Sequence, residues 1–562
     1  MKINKKIFLM ALLPAFSVMS CKKDLNVGNP NQPTLDVNVT TETGLMALTS
    51  GAVYTNGIAN SNLAWLGNSY CSLLYGFNEL LGDMVSAEAA NQIVNIINVP
   101  DYWILDNGTK EFNDAPMRNV LRTNNSRPST SQGNNPFYYY WVADYALNNA
   151  LNIVLSRVDG VTYTGNADMK KNTIKAFCYF WKGWAYANIG SQYYSGLILN
   201  EVDPILNVTI TNPDYKLHDE IIAESNANFK KAADLLTAIP AGDGDYSDVL
   251  GTLIPSFCQV GKGGVLSPDM WKRNINTMMA RNILVNRLSP FVNNNPNATV
   301  TGSSMAAITA ADWTQILTLA GDGIKQGDLV FTGRSAAVNG FMTASGGSVS
   351  AMASGASSPA TFKISERFTQ NFKAGDKRFT NNFGSDPFKM NYTFSTRYNQ
   401  IDGGNHMDSV YVYGNKAVGE YEAYLEGSYE ENALMLAEAN IRSGNIETGL
   451  GFIDDVRKYM HAGLAPVKGT GLTLAQAMAE LVRERRVALV YRGISYYDSR
   501  RWGWIYDISK GGGAYNQTIV EGTTVNTKAT INYNFLDYWD VPADEFDLNP
   551  PSATSAAIKN PN

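Results

Sequence analysis

Apolar side chains recur at three- and four-residue steps along several stretches of the chain. Leu147, Leu151, Val154 and Val158 form one stripe; Ile174, Phe177, Cys178, Trp181, Trp184 and Ala185 form a second that stops at Gly190. Ile222, Phe229, Ala233 and Leu236 mark a third. A fourth runs Trp271–Leu288 behind a Ser267-Pro268-Asp269 start, and a shorter one spans Ala311–Ile324. Leu434, Ala437 and Ile441 then precede Gly444-Asn445, and Leu450, Ile453, Val456 and Met460 follow it. A stripe at period 3.6 lets a helix bury one face, so each of these stretches predicts an amphipathic helix.

The arrangement of the stripes narrows the architecture. Glu430–Met460 reads as helix, Gly-Asn turn, helix in roughly 31 residues, near the 34-residue tetratricopeptide unit. The earlier helices pair in the same way at irregular spacing, which predicts divergent helical hairpins stacked into a scaffold. Long stretches without a stripe intervene at Gly82–Phe137, Ser191–Tyr215, Asp243–Ser267 and Leu329–Tyr429. They are full of Tyr, Phe and Trp, which disfavours disorder. Val338–Pro359, rich in Gly, Ser and Ala, is the exception and reads as a mobile excursion. The prediction is a mainly α frame carrying large ordered loops on one side.

Composition adds exclusions. Of 562 residues 44% are apolar, enough for a sizeable core, while only 17% are charged against a usual ~25%. A net charge of −6 argues against a nucleic-acid binder, which needs a basic face. Three His and four Cys leave little for a structural metal. The N-terminus carries Lys2, Lys5 and Lys6, then the apolar run Ile7–Val18, too short to span a bilayer at the ~20 residues a helix needs. Ser20-Cys21 follows. The pattern predicts a signal peptide over 1–20, lipidation of Cys21, a flexible Asn/Pro-rich leader to residue 36 and one domain over 37–562. Losing the three lysines would leave the mature chain at −9. With Cys21 lipidated, Cys71, Cys178 and Cys258 are an odd number, so stability comes from burial and not from a disulfide framework.

Catalytic signatures are weak. Gly261-Lys262-Gly263-Gly264 lacks the spacing and the Ser or Thr of a phosphate loop, and no G-x-S-x-G occurs. His218, His406 and His461 read as surface or turn residues. Asp243, Asp245 and Asp248 read as a polar turn in preference to a calcium cluster. Acid pairs such as Glu420/Glu422 and Glu430/Glu431 read as solvated helix faces, since a glycosidase needs two carboxyls at a defined separation.

The C-terminal third carries the strongest signal. Arg483-Glu484-Arg485-Arg486-Val487-Ala488-Leu489 closes a helix, followed by Gly493, Tyr497-Asp498 and Arg500-Arg501-Trp502-Gly503. Val541-Pro542-Ala543-Asp544-Glu545-Phe546-Asp547-Leu548-Asn549-Pro550 comes next. In order and spacing these runs resemble the RagB/SusD family of lipid-anchored nutrient-binding proteins, and the lipobox and the Glu430–Met460 hairpin fit it. Trp271 with Ala280-Arg281 is similar to one branch, with Ala where Leu is commoner. The resemblance implies four tetratricopeptide-like helix pairs, no cofactor, an outer-membrane location on the cell-surface face and a SusC-like TonB-dependent transporter as partner. It also implies an oligosaccharide or peptide ligand, and no nucleic acid. A lipid-anchored hydrolase and a purely structural scaffold are the competing classes.

Within the resemblance, Arg485, Gly493, Asp498, Arg501, Trp502, Glu545 and Asn549 are read as structural: a guanidinium fork satisfies a carboxylate while Trp packs over it. Ligand contacts are expected in loops bearing Tyr102, Trp103, Asn107 and Arg118 on one side and Tyr392, Tyr398 and Asn399 on the other. Sugars need aromatic platforms and amide or charged groups, because buried hydroxyls without partners are costly.

Overall fold

The structure, a computed structural model, describes residues 39–54, 74–87, 95–113, 116–126, 136–203, 208–259, 261–289, 300–333, 342–343, 347–348, 362–384, 392–396, 409–412 and 423–562. The signal-like segment, Cys21, the leader, Cys71 and His406 lie outside them, as does Val338–Pro359 apart from a two-residue ladder, Met342–Thr343 with Gly347–Ser348.

Sixteen α-helices are described: α1 Glu42–Ser50, α2 Leu74–Leu81, α3 Met117–Asn125, α4 Pro136–Arg157, α5 Ala167–Gln192, α6 His218–Thr237, α7 Gly244–Leu253, α8 Pro268–Val285, α9 Ala310–Gly321, α10 Glu366–Thr369, α11 Lys377–Asn382, α12 Tyr429–Arg442, α13 Ile446–Tyr459, α14 Leu474–Ala488, α15 Ser495–Arg501 and α16 Ala543–Leu548. Eight of them form a succession in which each packs on the next: α4, α5, α6, α8, α9, α12, α13 and α14, four pairs in all. The chain is mainly α with a tetratricopeptide-like frame.

Side-chain caps set several helix starts. Ser267 accepts from Met270 N before the proline of α8, Ser428 from Glu431 N at α12, and Thr473 with Gln476 closes a capping box on α14. The stripes predicted from sequence bury their apolar faces. Phe177, Phe180 and Trp181 of α5 meet Trp271 of α8 and Phe331 at ring-centroid distances of 5.2–6.3 Å. Such buried rings contribute about 3–5 kcal/mol each against truncation. Cys178 and Cys258 are buried and in no disulfide among the described residues.

Four sequence expectations give way here, the first being the acid pair Glu430/Glu431, which is no solvated face: both are buried, and Glu431 accepts from Arg281 Nε at 2.6 Å. Asp243–Ser267 is not all loop: Asp243 caps α7 by accepting from Tyr246 N, and Tyr246, Val249, Leu250 and Leu253 bury a short stripe. Gly82–Phe137 holds strands and α3. His218 is not a surface or turn residue; it opens α6, is 6% exposed and stacks on Tyr538 with ring centroids 3.9 Å apart.

The loops are organised by two sheets. The first combines β1 Val85–Ala87, β4 Phe362–Ile364, β5 Phe383–Gly384, β6 Tyr392–Thr396 and β7 Ser409–Val412 in the order β1-β4-β6-β7-β5, with β4 and β6 parallel. The second is an antiparallel sheet of β2 Tyr102–Ile104, β3 Lys110–Phe112, β8 Ala514–Glu521 and β9 Thr524–Asn532, in the order β8-β9-β2-β3. Its pairing of Trp103 with Ile531 joins segments some 400 residues apart in sequence.

Helix α14 ties frame to loops through charge. Arg485 grips Asp498 of α15 in bidentate fashion at 2.9 and 3.0 Å; Arg501 bonds the same carboxylate at 2.7 Å and Glu438 of α12 at 2.6 Å. Arg442 adds 2.9 Å to Glu438. Trp502 lies 5.1 Å from the Arg501 guanidinium. Gly493 at φ 72° donates its N–H to Glu79 at 3.0 Å, a left-handed turn that only glycine adopts without strain. Glu545 accepts from the Trp141 indole at 3.0 Å, and Asn549 donates to the Asn212 carbonyl at 2.9 Å, fastening the C-terminal segment to α4 and its neighbouring loop.

Burial alone would raise the Glu438 carboxyl, but Arg501 and Arg442 outweigh it and hold the group down at about 2. Its contribution to stability is therefore fully present above the unfolded value near 4.5 and is lost as pH falls toward 2. Urea unfolding between pH 5 and 2 is expected to show a shallower pH slope in Glu438→Gln than in the wild type. At neutral pH Arg501→Ala should lose about 3–5 kcal/mol, because it leaves buried carboxylates unpaired. A wild-type melt for Arg501→Ala would remove the structural reading of this pair.

Candidate functional site

The end of α15 is held with little freedom. Arg500 donates to the carbonyls of Ser191, Val285 and Asp537 at 2.7–2.8 Å, and Arg501 is locked as described. The following Trp502-Gly503-Trp504 is thus presented on a rigid support. Trp504 N bonds the Ser499 carbonyl at 2.9 Å, and Gly513 N bonds the Gly503 carbonyl at 3.1 Å, closing the loop that leads into β8. Gly513 sits at φ 100°, and a Cβ there would come within 2.6 Å of Ile508 Cγ1.

Between this loop, α10, α14 and the start of β8 lies an open cleft of about 420 Å³. Trp502, Trp504 and Tyr515 supply its aromatic surface; Gln370, Asn371, Asn516 and Gln517 supply amides; Thr518 and Thr527 supply hydroxyls; Arg367 and Arg483 supply charge. The two indoles pack 5.2 Å apart at 54°. Tyr515 is 37% exposed and Trp504 half-buried, whereas Trp502 lies at 2%. The Arg486 guanidinium stands 5.3 Å from the Trp504 ring, a cation–π contact that steadies it. The amides are anchored from behind: Asn371 Oδ1 accepts from Arg486 Nε at 2.6 Å, and Gln370 Nε2 donates to Glu366 at 2.6 Å. The buried Trp502 indole N–H has no acceptor among the described residues. Such an orphan donor costs about 1–3 kcal/mol, which a ligand hydroxyl or a water would relieve.

Of the residues singled out in the sequence, Tyr102, Trp103 and Asn107 fall on the β2–β3 hairpin, Arg118 on α3 and Tyr392 on the other sheet, while Tyr398 and Asn399 lie outside the described residues. Tyr102 is half-buried on β2, its ring 5.4 Å from Phe112 and capped by Lys110 Nζ at 4.7 Å. Burial raises the Tyr102 phenol, with Asp507 and Tyr515 adding to it. Trp103, on the other face of the strand, donates to Glu521 of β8 at 3.1 Å. Asn107 accepts from Thr109 N at 2.9 Å and shapes the β2–β3 turn. Arg118 is half-buried and reaches Asn534 at 3.3 Å. Tyr392 lies on β6, its side chain outside the described residues; Tyr398 and Asn399 lie outside them altogether. Trp504, Tyr515, Gln517, Gln370 and Asn371 were missed. The Trp-Gly-Trp triplet and the Tyr-Asn-Gln run entering a hairpin were the available signals. Asp243 caps α7, and Asp245 accepts from Asn166 N at 3.0 Å, so these two carboxylates are engaged within the chain.

Comparison with known proteins adds the family. Residues 286–553 match the model of the SusD family. A putative sugar binding protein from Bacteroides vulgatus is similar in structure at 15% identity, with 91% of this chain and 98% of that one covered and a TM-score of 0.52. A SusD-like carbohydrate binding protein from Bacteroides fragilis gives 14%, 91%, 99% and 0.51. A structure solved with xylogluco-oligosaccharide gives 13%, 92%, 99% and 0.51. At these identities the likeness concerns the fold. No curated protein matches the chain.

The cleft depends on the tight packing at Gly513. Gly513→Ala meets both the positive φ and the Ile508 side chain, and should lose about 1–3 kcal/mol in thermal or urea unfolding while perturbing the near-ultraviolet circular dichroism of the aromatic cluster. Gly522→Ala, at φ 57° in open space, is the control and should lose less.

Proposed function

From the match of residues 286–553 to the SusD family model and the shared fold, we propose that the chain is a SusD-like outer-membrane lipoprotein that binds an oligosaccharide and passes it to a TonB-dependent transporter. The observation that carries the ligand class is the cleft, where Trp504 and Tyr515 stand beside anchored amides. A pyranose ring offers flat C–H faces that stack on aromatic rings and a rim of hydroxyls that must be hydrogen-bonded when buried. Platform and amides together supply both. The names of the structural relatives, sugar binding and carbohydrate binding, support the same class. The lipobox-like Ser20-Cys21 after a short apolar run supports the lipid anchor, and the family resemblance supports the transporter partner. The reading is binding and not catalysis: the cleft presents stacking and hydrogen-bonding groups suited to holding a saccharide.

Calorimetric titration of the mature chain with a panel of oligosaccharides and peptides tests this. One saccharide class should bind saturably and be recovered intact. Trp504→Ala should weaken that binding about 10-fold, the equivalent of ~1.4 kcal/mol, with a melting temperature close to wild type. Unchanged affinity in Trp504→Ala, or release of cleavage products, would contradict the proposal.

A further inference from the structure

The charged side chains that line the cleft are of one sign, Arg367 and Arg483. On the α14 wall, Lys373, Arg457 and Arg483 all contact Glu480 at 2.7–3.0 Å. Arg457 also reaches Glu484 at 2.8 Å, and Glu484 is shared with Arg378, which pairs with Asp376 at 2.7 Å. Four cations thus share three carboxylates. Arg483 is the member of this cluster that reaches the cleft, with its side chain 36% exposed. Beside α10, Arg367 grips the Asp83 carboxylate through two nitrogens, Tyr533 bonds the same carboxylate at 2.7 Å, and the neighbouring buried Glu366 carboxyl accepts from Gln370. Arg486 itself donates to the backbone carbonyls of Gly82 and Asp83 at 3.1 and 3.2 Å and to Asn371, so no acid among the described residues neutralises it by contact. Glu79, the other carboxyl near Arg486, is pushed up to about 7 by burial and is largely uncharged below that pH. Among the described residues that line the cleft there are two arginines and no carboxylate. Asp106 of the β2–β3 turn is engaged by the backbone N–H groups of Thr527 and Lys528 on β9, from which it accepts at 3.0 and 2.8 Å.

The structure therefore assigns a sharper substrate class to this cleft: we propose that it selects an anionic saccharide, one bearing a carboxylate or a sulfate, with Arg483 as the group that meets the charge. The inference rests on the saccharide reading of the same site. A guanidinium meets either anion with paired N–H donors, and a partly desolvated, net-positive wall strengthens the contact. The net charge of the whole chain is negative, so the positive cleft is a local feature and not a reflection of overall composition.

The test is a calorimetric titration of the mature chain with three probes: an oligogalacturonide, a chondroitin sulfate oligosaccharide and a neutral xylogluco-oligosaccharide. At least one anionic probe should bind about 10-fold or more tightly than the neutral one, with affinity falling as salt rises. Preference for the uronide alone identifies the carboxylate, and preference for the sulfated chain alone identifies the sulfate. Arg483→Gln should lower the anionic-to-neutral ratio about 10-fold, and Arg483→Lys should keep part of it and keep the salt dependence. Neutral binding equal to or tighter than anionic binding, still lost in Trp504→Ala, would overturn this inference and leave the saccharide reading standing. Failure of all three probes to bind through Trp504 would overturn both.

Discussion

The arrangement turns on a buried ladder of charge along one helix. Glu480, Glu484, Arg485 and Arg486 of α14 are all nearly inaccessible to solvent, and each faces a different part of the chain. Arg485 holds α15; Glu484 holds Arg378 on α11 and Arg457 on α13; Arg486 holds the carbonyls after α2. Ions taken out of water are tolerated only when nearly every one finds a partner. A helix studded with them therefore admits few alternative packings, and the ladder fixes the helical frame against the loops with a specificity that apolar contacts alone would not give.

The cleft inherits its rigidity from this ladder. Trp502 and Trp504 leave α15 immediately after Arg501, whose guanidinium is bound to Asp498 and Glu438. Asn371 is aimed by Arg486, and Gln370 by Glu366. A saccharide meeting these groups has little side-chain entropy to remove, since the platforms and amides are already held in place. The same scaffold brings the β2–β3 hairpin to β9, so a segment early in the chain and one near its end build a single wall. Residues that keep the fold in register there also hold one side of the cleft, at Thr527, still.

Much of the frame was legible in the sequence, because a stripe such as Ile174, Phe177, Cys178, Trp181 needs only local periodicity to be read. The motif arginines were legible as a family signature, and the partners that explain them, Asp498 and Glu438, lie within one and several helices of them. The cleft was not legible. Trp504, Tyr515, Gln370 and Arg483 come from four elements separated by up to 145 residues, and no periodicity links them. Tyr102 and Trp103 were chosen by chemistry, but which face each ring takes is decided by pairing of β2 with β9, a contact across more than 400 residues. His218 was misread because the Tyr538 ring that buries it arrives from the far end of the chain.

The most direct measurement is a crystal structure of the mature chain soaked with the tightest-binding oligosaccharide. A sugar ring is expected against Trp504 and Tyr515, with hydroxyls on Asn371 and Gln517 and, for an acidic sugar, its anionic group on Arg483. Density for the sugar on the Tyr102–Phe112 face alone, with the cleft holding only water, would contradict the assignment.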